Sequence, residues 1–153
     1  MEATLVFVPI QETELAAISG KIELTYRLAH RVTPELLATM GYDEAQQEEA
    51  EHAAMVLASI AALSRYGARL VLVAEVSADL VSVAPESANG QCRIARIDAE
   101  AIIAYFTEDP KTDVAQAAAA ARGLSIDQAW EQGAVQDLLL HDLLWNDVTE
   151  YVG

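Results

Sequence analysis

Three histidines, one cysteine and a cluster of arginines are the residues of this chain best suited to chemistry. Glu49 and His52 stand three apart, which places both on one face of a helix. Asp137 and His141 stand four apart, with Asp142 next to the histidine. If the segments carrying them are neighbours, Glu49, His52, Asp137 and His141 could ligate a divalent ion such as Zn, Mn or Fe, since these accept imidazole and carboxylate. A di-metal bundle site would need a second Glu-x-x-His pair and two further glutamates, and that second pair is missing. Glu-x-x-His spacing is also common on acidic helices, so the plainer reading leaves His52 as a partly exposed helix residue and packs His141 between Asp137 and Trp145. His30 lies on the apolar parity of a strand, where a satisfied core histidine outweighs a ligand or an acid–base group. The candidate catalytic residues are thus His30, His52 and His141. Cys92 falls inside a strand with no histidine near it in sequence, which suits a buried, inert thiol.

Arg27, Arg31, Arg65, Arg69, Arg93 and Arg96 supply six of the nine basic residues and fall in the central strands and the helix between them. Converging, they would make a cationic pocket for phosphate or carboxylate; dispersed, they would pair with surface carboxylates. Arg27, Arg31, Arg69, Arg96 and Trp145 are the binding candidates. The familiar nucleotide and nucleophile signatures are absent: no GxxxxGK[ST], no GxGxxG after a strand and no GxSxG.

The element expected to organise the chain runs from Asp43 to Val76. Asp43 and Gln46 form a capping box, and a long helix follows with acidic first turns. Its apolar stripe is Ala53, Leu57, Ile60 and Ser64, widened by Val56 and Leu63. It stops at Gly67, and a strand buried on both faces follows at Leu70 to Val76. Before it come a strand at Thr4 to Pro9, a short helix capped by Thr13, a strand at Leu24 to Val32 and a short helix opened by Thr33-Pro34. After it come a hairpin of Leu80 to Ala84 with Cys92 to Ile97, turning at Asn89-Gly90, and a strand at Ile102 to Thr107. Three helices should finish the chain. The first starts near Pro110 and carries the alanine run to Gly123. The second is capped by Ser125 with Gln128 and broken at Gly133. The last spans Asp137 to Val152 with Leu140, Leu144, Val148 and Tyr151 on one stripe. The expected fold is α/β, with an α+β character. It is a single domain over residues 1–153, a mixed sheet of about five or six strands covered by helices, with a C-terminal helical segment.

Certain segments carry a resemblance. VFVP at Val6 to Pro9, TELAAI after it, AHRVTP at Ala29 to Pro34, EEAEHAAM at Glu48 to Met55 and HDLLWNDVTE at His141 to Glu150 resemble a family of small actinobacterial proteins of unassigned activity. The likeness spans nearly the whole chain. It implies a bacterial cytoplasmic protein of this size and transfers no catalytic residue.

With 24 acidic and 9 basic residues, the net charge of −15 argues against non-specific binding to nucleic acid or anionic lipid. No apolar run approaches the roughly 20 residues that span a bilayer, the N-terminus lacks a basic leader, and one cysteine cannot form an internal disulfide. We therefore expect a cytoplasmic, acidic, non-enzymatic interaction or regulatory protein, with a protein partner or self-association as a homodimer, no nucleic acid and no membrane. No cofactor is expected. The alternative is a small enzyme or ligand-binding protein, with a His/carboxylate site holding a divalent metal or an Arg-lined anion site.

Overall fold

A computed structural model describes residues 2–151. One seven-stranded sheet carries the fold, with β1 (Ala3–Pro9), β2 (Leu24–His30), β3 (Val71–Ser77), β4 (Val81–Val83), β5 (Gln91–Ile97), β6 (Ile102–Thr107) and β7 (Leu144–Asp147) in the order β4-β5-β2-β1-β3-β6-β7. Helices and sheet combine as expected, but the strands number seven, and every pairing among the described residues is antiparallel. β1 at the centre is paired with β3 along its whole length, from Ala3↔Ser77 to Pro9↔Val71.

The sheet separates two apolar layers. On β3, Val71 and Val73 face the helices, while Leu72, Ala74 and Val76 face the opposite layer, so period-two alternation sends apolar groups both ways. The helical layer is built on α2 (Gln47–Tyr66), whose Ala54, Leu57, Ala58, Ile60, Ala61 and Leu63 pack on Phe7, Val71 and Ala104. The expected capping box at Asp43 and Gln46 is formed, on a 3-10 turn that feeds α2. The helix ends at Gly67, whose positive φ lets its N–H cap the Leu63 carbonyl. Around α2 lie α1 (Pro34–Met40), α3 (Ala115–Ala121), α4 (Ile126–Trp130) and α5 (Gly133–Leu138). The Thr33 side chain caps α1 and that of Ser125 caps α4, both as their spacing predicts. The opposite layer is thinner. The 3-10 segment Glu12–Ser19 covers it with Leu15, Ala17 and Ile18, joined by Val148 and Tyr151. That segment is capped by Gln11 with Glu14 rather than by Thr13.

Two expectations fail in the last third of the chain. α3 starts at Ala115 and not near Pro110, because Asp109 and Asp113 cap separate turns between the two. More consequentially, the helix expected over Asp137 to Val152 does not form. α5 ends at Leu138, and Leu144–Asp147 becomes β7 on the free edge of β6, with Thr107↔Leu144 through Ala104↔Asp147 in register. The open edge of β6 offers backbone partners that a helical LLWND would leave unused, and Asn146 adds side-chain bonds to the Tyr105 carbonyl and the Thr107 hydroxyl. Val152 lies outside the described residues. The hairpin β4–β5 and the strand at Ile102–Thr107 form as expected.

Candidate functional site

His52, Met55, Val56 and Ser59 follow one another at i, i+3, i+4 and i+7 on α2, a face next to the stripe that packs on the sheet. They form one wall of a cleft of about 430 Å³. Phe7 and Phe106 supply the floor from β1 and β6. The segment after α5, with Leu139, His141, Asp142 and Leu143, closes the far side. The floor is apolar and largely buried, while His52, His141 and Asp142 at the mouth are exposed and Glu51 is half-buried. The cleft thus has the size and the apolar body with few polar groups that small-molecule sites share.

One ion pair fixes the far wall. Arg69 is 3% exposed, and its Nε and Nη2 donate to the two carboxylate oxygens of Glu108 at 2.9 and 2.7 Å. Nη2 also donates to the His141 carbonyl at 3.0 Å. The guanidinium therefore lines the cleft and ties down its His141 segment, but its charge is already matched by a carboxylate in a forked geometry. The carboxylates Glu51 and Asp142 make no ion pair among the described residues, so the mouth carries net negative charge.

Two of the three candidate histidines thus meet across one cleft with an acid beside each. The metal set does not assemble. Glu49 is exposed and outside the cleft, and Asp137 lies in a separate depression of about 110 Å³ with Asp113 and the other side of His141. Among the described residues no group of three His, Cys, Asp or Glu side chains is placed to hold a metal ion.

His30 is elsewhere and wholly buried. Its Nδ1 lies 2.9 Å from the Asn89 carbonyl oxygen, which only accepts, so Nδ1 carries the proton and Nε2 is a bare acceptor without a partner. Burial pulls its pKa down to about 4, against the raising effect of the Asn89 bond, and nearby Arg65 lowers it further. Cys92 is buried and its thiol is pushed up to about 11 by that burial, with Arg31 opposing; such a thiol is not a nucleophile at neutral pH.

Of the arginine candidates, only one pair shares a cleft. Arg27 and Arg65 line one cleft, Arg69 lines the α2 cleft, and Arg96 pairs with Asp98 at 3.1 Å on the surface. The Nε of Arg31 is buried with no partner. Trp145 on β7 is 58% exposed; Leu144 at 43% and Leu140 at 83% are exposed as well. Glu51, Met55, Ser59, Phe106 and Asp142 were not expected at a site. The spacing 52-55-56-59 was a readable signal for three of the wall residues, while Phe106 was not, since only the fold brings β6 beneath α2.

A family model matches residues 4–152, nearly the whole length of the chain. The chain belongs to DUF6912, a family of unknown function. No curated protein and no solved structure matches it. Membership thus agrees with the resemblance carried by the quoted segments, and it assigns no role to the α2 cleft. No helix among the described residues is long and apolar enough to cross a membrane.

Proposed function

We propose that the protein binds a small molecule in the α2 cleft, one with an apolar or aromatic body and a cationic amine. The observation that carries this reading is the pairing of His52 and His141 with Glu51 and Asp142 around a floor of Phe7, Met55, Val56 and Phe106. The floor takes the body, and the two aromatic rings favour a cation near them. The mouth supplies carboxylates, whereas the cleft's one guanidinium is committed to Glu108. An anionic ligand would meet two unmatched carboxylates and no available cation. The two imidazoles add hydrogen-bonding nitrogens at the mouth.

Ligand-observed NMR with benzylamine, benzyl alcohol and benzoate tests the charge preference. Benzylamine should bind best and benzoate worst, and the preference for the amine should shrink as salt screens Glu51 and Asp142. Benzoate binding more tightly than benzylamine would reject the reading.

A second reading keeps the interaction protein, on the specific observation that Trp145 stands 58% exposed on the edge strand β7. An exposed indole on an unpaired strand edge suits self-association or a protein partner. Sedimentation of the wild type and Trp145→Ser decides the homodimer form: a dimer that the substitution dissociates favours it, and a monomeric wild type rejects it.

A further inference from the structure

The sheet opens at its middle. β1 and β2 are neighbours in strand order, yet they share one paired position, Phe7↔His30. Two residues beyond Phe7, Pro9 has no N–H to donate, which ends the ladder on that side. The gap holds a second cleft of about 440 Å³, lined by Pro9 of β1, Thr25, Tyr26, Arg27 and Leu28 of β2, and Arg65 and Tyr66 from the end of α2. It lies apart from the α2 cleft and shares no lining residue with it.

Two features of this slot need an account. The first is charge. Acidic residues outnumber basic ones 24 to 9 in the chain, yet the seven lining residues include two arginines and no carboxylate. Arg27 is engaged by Glu14 of the covering 3-10 segment. Arg65 is exposed and makes no ion pair among the described residues. The second is strain. Tyr26 has a φ of 53°, the left-handed region, in the interior of a strand. A bulky side chain pays for that conformation, and here no packing compensates, because the residue is 88% exposed. The twist turns β2 over. Leu24 and Ala29, an odd number of residues apart, face the same apolar layer, as do their partners Ile97 and Cys92. Its local product is a tyrosine held out beside Arg65 and the partly exposed Tyr66.

We propose that this slot is an anion site for a small oxyanion group, a carboxylate or a phosphate, seated on the Arg65 guanidinium between the Tyr26 and Tyr66 hydroxyls. A guanidinium presents forked N–H donors to an oxyanion, and each phenol adds an O–H donor. The proposal is independent of the α2 cleft, which selects the opposite charge.

Titrations of ¹⁵N-labelled protein with inorganic phosphate and, separately, with acetate test it. Saturable shifts centred on the Tyr26, Arg27, Arg65 and Tyr66 amides are expected with at least one of the two, and the tighter one assigns the oxyanion. Arg65→Gln should weaken that binding at least tenfold. Tyr26→Gly accepts the same backbone turn without strain, so it stays folded, and it should weaken binding several-fold by removing a hydroxyl. Arg96→Gln, a surface residue outside the slot, should change nothing. Absence of saturable shifts with both anions, or an affinity that Arg65→Gln leaves intact, would overturn the proposal.

Discussion

His30 shows how a residue that looks catalytic in sequence can be a structural one. Its ring is buried with one nitrogen bonded to Asn89 and the other facing no donor, so only the neutral form fits. Its pKa falls from 6.5 to about 4 on folding, so the unfolded chain takes up a proton that the folded chain refuses. Stability should therefore be full above pH 6.5 and be lost as pH falls from there towards 4, by on the order of 3 kcal/mol for this group alone. Urea unfolding of the wild type and His30→Leu between pH 7.5 and 4 checks it: carboxylates titrate in both proteins, so the wild type should lose more stability than the variant over that range. Parallel slopes would refute it. The parity of β2 indicates a core histidine at position 30. It gave no hint of the orphaned Nε2, because the Asn89 carbonyl arrives from a loop 59 residues away.

At the scale of elements, local signals were legible wherever the chain's own caps decide the outcome. Thr33-Pro34, Asp43 with Gln46, Ser125 with Gln128 and the stop at Gly67 all form as their spacing predicts. The failure at Asp137 to Val152 has the opposite cause. LLWND satisfies either period, and the free edge of β6, set by the distant residues Ala104 to Thr107, decides for strand. Tyr26 is similarly invisible in sequence, since nothing in LTYRLAH marks a left-handed residue. The turn at Gly90 is the strictest of the local devices. Its φ is 75°, and a Cβ there would lie 2.3 Å from the Arg31 carbonyl oxygen, whereas Gly41, at a φ of 70°, has nothing within 4 Å of the same atom. Gly41→Ala should cost about 1 kcal/mol for backbone strain alone. Gly90→Ala should cost about 3 kcal/mol or more, because the Arg31 backbone must move as well. Chemical denaturation of the two variants measures the gap, and equal losses would show that the α1–β5 junction yields more easily than its geometry implies.

For the whole molecule, the α2 cleft depends on distant stretches of chain. α2 brings His52 and Met55, β1 brings Phe7, β6 brings Phe106, and the segment after α5 brings His141, held by Arg69 and Glu108. Pairing His52 with His141 was readable as a possibility from two acidic histidine motifs. The floor between them and the neutralised guanidinium were not, because both follow from tertiary packing. That neutralisation is what leads the proposed function to an amine rather than an anion. In the proposed function an amine with an apolar body sits on Met55 and Phe106 within reach of Glu51 and Asp142. The most direct measurement is a calorimetric titration of benzylamine into the wild type, Met55→Trp, which fills the floor, and Asp142→Asn, which removes one carboxylate. Binding to the wild type is expected, with loss of detectable binding in Met55→Trp and a several-fold weaker affinity in Asp142→Asn. Wild-type affinity retained in Met55→Trp would contradict it.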